Sequence, residues 1–167
     1  MRQSFQITKL YRKESKMHKN WKFHHIAVIV KDMNKAIEFY QSLGIGPFPP
    51  LIGPEGTVTL TGKTVQGKPV DYEIDLRQAE GGVGGLTLEV IQPLEGETPV
   101  KEFLEKKGEG IQHIGFFVDD LDQETAKMAE KGFTITQSGE SPNVKWAYFD
   151  TDTIGGVSIE LMQKTSK

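Results

Sequence analysis

His25-Ile-Ala-Val-Ile-Val-Lys-Asp32-Met33 and His113-Ile-Gly-Phe-Phe-Val-Asp-Asp120-Leu121 are two versions of one phrase, 88 positions apart. Each is an apolar run of strand-forming residues that opens with a histidine and closes on an aspartate, a residue type that caps helices. After the first copy, Met33, Ala36, Ile37, Tyr40 and Leu43 recur at helical spacing and stop at Gly44. After the second, a helix is expected from about Leu121 to Gly132. Strand, turn, helix is written twice.

A second pair of segments repeats at a different offset. Gly84-Gly-Leu-Thr-Leu-Glu89-Val-Ile-Gln92 matches Gly155-Gly-Val-Ser-Ile-Glu160-Leu-Met-Gln163, shifted by 71 positions. The first copy therefore holds 17 more residues between its His and its Glu, and the surplus falls in the Gly- and Pro-rich stretch 47–82, which is expected to carry a longer loop. Strand-like runs lie between the matched ends at 57–60 and 70–76 in the first copy, and at 134–138 and 146–150 in the second. The expected fold is α+β: two tandem βαβββ modules, about 22–95 and 110–164, forming one curved mixed sheet around a cavity. Thr98 and Pro99 read as the cap and first residue of a linker helix, about 98–108.

Composition narrows the function. The chain has 167 residues, the size of a single domain, here expected over 21–164. It contains no cysteine, so thiolate ligands, disulfides and cysteine nucleophiles are excluded, and a reducing cytoplasm fits. A net charge of −3 gives no reason to expect nucleic-acid binding, and the longest apolar run, 26–30, is too short for a membrane span. A small-molecule partner is the natural one. Residues 1–20 carry Arg2, Lys9, Arg12, Lys13, Lys16 and Lys19 against Glu14 alone, and are expected to form a solvated basic tail.

Four polar residues sit where strands are otherwise apolar. His25 and His113 open theirs, and Glu89 and Glu160 lie in the middle of theirs. An ionised Glu among Leu, Ile and Val is expensive to bury unless paired or bound to metal. Taken one at a time, such residues read as ordinary strand-end polars or as the solvent side of a sheet. Repeated in register, they predict a shared centre with one His and one Glu from each module, apt for one divalent ion: Zn, Ni, Co, Mn or Fe(II). Alternation lets only one of the neighbours His24 and His25 face inward, and the repeat selects His25. His24 aligns with Gln112 and is expected on the outer face or behind the ligands.

These residues resemble the vicinal oxygen chelate superfamily, which includes glyoxalase I, methylmalonyl-CoA epimerases, extradiol dioxygenases and bleomycin-resistance proteins. The resemblance runs over about 23–163 and places the family's metal ligands on His25, Glu89, His113 and Glu160. The stretch 88–113, with its linker Thr98-Pro-Val-Lys-Glu-Phe-Leu, is most similar to the epimerases, although Gln112 stands where a second His is common. The resemblance implies an isomerase that removes a proton beside a thioester carbonyl, with an acyl-CoA or other thioester as substrate. It also implies a homodimer. Glu160 or Glu89 is the expected base, with Glu73 a further candidate from outside the ligand set. A glyoxalase I-like lyase and a small-molecule binding or resistance protein are the rival expectations. For the phosphates of a CoA ester, Lys101, Lys106, Lys107, Arg77 and Lys145 are candidates, read equally well as solvated surface.

Overall fold

The computed structural model describes residues 20–165; the expected basic tail lies outside the described residues except for Asn20. Among the described residues, ten strands form one mixed sheet in the order β2-β5-β6-β1-β7-β10-β9-β8-β3-β4. The first module supplies β1 (Lys22–Ile29), helix α1 (Met33–Ser42), β2 (Pro50–Ile52), β5 (Ile74–Val83) and β6 (Leu86–Pro93). Helix α2 (Pro99–Lys107) links it to the second module. That module supplies β7 (Gly110–Phe117), α3 (Leu121–Glu130), β8 (Ile135–Ser141), β9 (Val144–Phe149), the short α4 (Asp152–Gly155) and β10 (Ser158–Lys164). The remaining strands, β3 (Thr61–Val65) and β4 (Lys68–Pro69), belong to the surplus of the first module.

The repeat accounts for the local structure. Asp32 Oδ1 accepts from the backbone N–H of Lys35 at 3.1 Å, and Asp120 Oδ1 from that of Gln123 at 2.9 Å, so both phrases end in an N-cap. The glutamines that close the second repeated pattern do the same work from a distance. Gln92 Oε1 accepts from Met33 N and Gln163 Oε1 from Leu121 N, each at 2.8 Å, satisfying the first free N–H of the module's helix. Thr98 caps α2 in the same way, accepting from Lys101 N at 3.0 Å.

Side-chain alternation divides the core. Val90 and Val30 pack under α1, and Leu161 and Phe149 pack under α3, on the convex face. Ile91, Ala27, Ile29 and Leu76 point the other way, into the concave face, as do Met162 and Trp146. Glu89 and Glu160, two positions from Ile91 and Met162, therefore share the concave face.

Two expected strands require correction. Residues 57–60 form no named strand; only Val58 makes an isolated bridge, with Ile52. The strand expected over 70–76 begins at Ile74 and continues to Val83. The surplus of the first module is not a loop alone. After β2 the chain crosses to the far side of the sheet, where β3 pairs with β8 and Thr64 Oγ1 meets Ser138 Oγ at 2.8 Å. Leu60, on this crossing strap, packs against both concave clusters. No periodicity in one module could reveal a strand whose partner lies in the other.

The two modules meet where β1 runs antiparallel to β7, with His25 opposite Gly115 and Ala27 opposite His113. A Cβ at Gly115 would lie 2.2 Å from Cε1 of His25. The repeat differs at this position, Ala27 in one phrase and Gly115 in the other, because His25 lies across the neighbouring strand. Gly115→Ala is expected to force the imidazole aside and destabilise the protein by about 1–3 kcal/mol; urea denaturation measures the loss.

Candidate metal centre

Four strands around the seam bring the predicted residues together. His25 comes from β1, Glu89 from β6, His113 from β7 and Glu160 from β10, and all four are at least 95% buried. The Nε2 atoms of His25 and His113 lie 3.0 Å apart. Glu160 Oε2 stands 3.1 Å from His25 Nε2 and 3.7 Å from His113 Nε2, and Glu89 Oε1 stands 3.8 Å and 3.5 Å from the same atoms. Ligand atoms of His25, His113 and Glu160 all lie within 4.8 Å of one another. Donors bonded at about 2.1 Å to one ion are about 3.0–3.4 Å apart when adjacent, so these three need only small movements to close on a divalent cation, while Glu89, expected as a fourth ligand, stands beside the histidines but outside this group of three.

The donor chemistry fits such an ion. Glu160 Oε2 is buried and receives no aligned hydrogen bond, although His25 Nε2 is close. A buried carboxylate oxygen left in this state is costly, and a cation would relieve it. Electrostatics point the same way. Burial disfavours a charged His25, but Glu89 and then Glu160 outweigh it and raise its pKa to about 9. Burial would push the Glu89 carboxyl up, yet His25, His113 and Gln78 hold it well below the usual carboxylate range. The protein without metal thus keeps a proton where a cation would otherwise sit.

The carboxylates are not equivalent. Gln78, directly opposite Glu89 on β5, donates from Nε2 to Glu89 Oε2 at 2.5 Å. Tyr148 holds the corresponding place opposite Glu160 on β9, and its hydroxyl lies 3.3 Å from His113 Nε2. The Tyr148 hydroxyl is buried, and burial, reinforced by Glu160 and Glu89, raises its pKa well above the ordinary value, so it stays protonated.

His24 and Gln112 correct the alternation argument. The β1–β7 register slips between Phe23 and His25 on one strand, and between Ile111 and His113 on the other. Each slip is a bulge whose extra residue precedes the histidine, and a bulge re-aims side chains. His24 Nδ1 consequently lies 2.8 Å from His25 Nδ1, and Gln112 Oε1 lies 2.6 Å from His113 Nδ1. Burial, with the neighbouring His25, lowers the pKa of His24, leaving it a neutral acceptor. Once His25 gives up its extra proton, these contacts suit a tautomer in which each Nδ1 donates backwards and each Nε2 turns its lone pair to the centre.

Glu73 also requires correction. It is exposed, its neighbours Tyr72 and Ile74 face inward, and alternation turns Glu73 away from the centre. The basic candidates are engaged elsewhere: Lys101 with Glu97, Lys106 with Glu102, Lys107 with Asp152, Arg77 with Asp75 and Lys145 with Asp122. Sequence reasoning missed Gln78 and Tyr148, whose only signal is their cross-strand position opposite the two glutamates.

Above this floor lies a cavity of about 530 Å³. Its exposed lining residues, Thr57, Pro142 and Asn143, mark the mouth, and Leu60 of the strap forms part of the wall. No helix among the described residues is long and apolar enough to cross a membrane.

A curved mixed sheet of paired modules, enclosing such a centre, defines a class. Residues 24–148 match the family model of the Glyoxalase/Bleomycin resistance protein/Dioxygenase superfamily, and the chain belongs to that superfamily. Among curated relatives it is 27% identical over 142 residues to the uncharacterised protein YqjC of Bacillus subtilis, covering 83% of this chain and 89% of that one. It is 25% identical over 147 residues to the mitochondrial methylmalonyl-CoA epimerase of Bos taurus, covering 85% of this chain and 74% of that one. The crystal structure of methylmalonyl-CoA epimerase from Mycobacterium tuberculosis superposes with a TM-score of 0.57 at 21% identity, covering 87% and 89% of the two chains; this likeness is one of fold.

Two outcomes are expected from metal titrations. Because His25 is raised to about 9, binding must displace its proton: affinity should rise with pH and level off above about pH 9, with about one proton released per site at pH 7, read by calorimetry in buffers of different ionisation enthalpy. Removing either hydrogen bond behind the histidines, by His24→Phe or Gln112→Leu, should weaken metal binding by about 10–100-fold in a chelator competition assay.

Proposed function

We propose that this protein is a metal-dependent epimerase, similar to methylmalonyl-CoA epimerase, which removes and returns the proton on the carbon beside a thioester carbonyl. His25, Glu89, His113 and Glu160 would hold one divalent ion, with Co, Ni, Zn, Mn and Fe(II) all compatible with the nitrogen and carboxylate donors. The observation that carries the reading is the asymmetry of two buried carboxylates on the floor of a substrate-sized cavity. Glu89 is tied down by Gln78, whereas Glu160 Oε2 has no aligned partner. Support for the thioester comes from the bovine relative.

The chemical problem is the low acidity of that α-carbon at neutral pH. A bound divalent ion would supply positive charge to the carbonyl oxygen as the carbon loses its proton. The protein's own groups do the rest. Glu89, held by Gln78, stays in place as a permanent anion. Glu160, whose Oε2 faces the His25 imidazole at 3.1 Å, takes the α-proton as general base. Tyr148, kept protonated beside His113, is a proton donor from a second direction, as inversion of a stereocentre requires. The buried, largely apolar surroundings exclude water and strengthen each of these interactions.

The test is exchange of the α-proton of methylmalonyl-CoA with deuterated water, followed by NMR on protein reloaded with Co(II). Glu160→Gln keeps an oxygen donor but no base, and should slow exchange by about 10²–10⁴-fold with metal still bound. Undiminished exchange in Glu160→Gln would refute the assignment of the base, and no metal-dependent exchange in the parent protein, with methylmalonyl-CoA or with its larger α-alkyl analogues, would refute the epimerase.

A further inference from the structure

Resting on the thioester reading above, we infer that the substituent on the substrate's α-carbon is a bulky apolar group, a branched alkyl chain or an aromatic ring, and not a methyl group. The first ground is space. The cavity holds about 530 Å³. At about 30 Å³ per water-sized atom, that is room for about 17 non-hydrogen atoms, of which a thioester, α-carbon and carboxylate use about seven. The other places, about ten, are shared by the α-substituent and the first atoms of the thiol arm, and a methyl group fills only one of them.

The second ground is the chemistry of the walls. Leu51, Leu76 and Ile91 form one side, and Phe117, Trp146 and Met162 the other. No Lys or Arg is among the described lining residues. Of the nearby cations, Lys63 Nζ donates to the Tyr72 carbonyl at 2.7 Å and to Asp71 at 3.0 Å, Arg77 is held by Asp75 and Glu55, and the exposed Lys164 lies with Nζ 5.2 Å from the centroid of the Phe117 ring. A charged group held deep between the walls would therefore be buried without a counter-ion. An apolar one gains about three- to fourfold in affinity per buried methylene.

The third ground is that the wall is built to stay in place. Gly139 lies against the Trp146 indole, where a Cβ would come within 2.5 Å of Cζ2, so the ring packs directly on β8. Tyr148 meets it edge-on with centroids 5.4 Å apart. Leu60 on the strap completes the enclosure.

Methylmalonyl-, isobutylmalonyl- and benzylmalonyl-CoA would be titrated into the Co(II)-loaded protein by calorimetry, with α-proton exchange followed separately by NMR. The dissociation constant is expected to fall by at least about tenfold from the methyl to the benzyl compound. Leu60→Trp, which fills the space under the strap, should weaken benzyl binding about tenfold more than methyl binding. Equal or weaker binding of the larger compounds by the parent protein would overturn the inference, whatever the variant does. Binding in the expected order without exchange would uphold the pocket's preference and sink the epimerase instead.

Discussion

Two imidazoles and two carboxylates share a buried floor where β6, β1, β7 and β10 lie side by side. Burial of so much polar chemistry is tolerable only if the groups compensate one another, and every neighbouring feature serves that need. Gln78 satisfies one carboxylate oxygen, while His24 and Gln112 orient the two imidazoles. Gly115 leaves the space in which His25 lies. One oxygen, on Glu160, receives no aligned hydrogen bond and faces the His25 imidazole at 3.1 Å.

Duplication supplies the positions, and departure from duplication supplies the roles. The modules agree in their helix caps, in the distant glutamines that support them, and in the His and Glu of the centre. They differ opposite the two carboxylates: Gln78 faces Glu89, but Tyr148 faces Glu160. They differ again in the surplus of the first module, which spans the concave face and joins the outermost strand of the second. Leu60 of that strap packs on both concave clusters and forms part of the cavity wall.

Much of this was legible in the residues themselves. His25, Glu89, His113 and Glu160 stood out because the same two residue types recur at matched places in apolar strands, and burial of a lone carboxylate is unfavourable enough to make that recurrence informative. The helices could be read from Asp32 and Asp120 followed by a helical period. The strand expected at 57–60 failed because a short apolar run cannot distinguish a strand from a strap that merely packs through Leu60. Glu73 lies on the exposed side of its segment because period-two alternation, continued from Tyr72 and Ile74, turns it outward.

The sequence by itself determined the paired modules, the caps and the four residues of the centre, since each is encoded by local periodicity or by repetition along the chain. Only the tertiary structure decided which groups stand behind and opposite those four. Gln78 and Tyr148 act across strands, so their place depends on register. His24 and Gln112 reach the histidines through bulges, which break the alternation that sequence reasoning must assume. The strap depends on a strand from one module finding its hydrogen-bond partner in the other. Each of these is a relation between residues distant in the chain or a local exception to strand periodicity, and neither leaves a mark in the order of the amino acids.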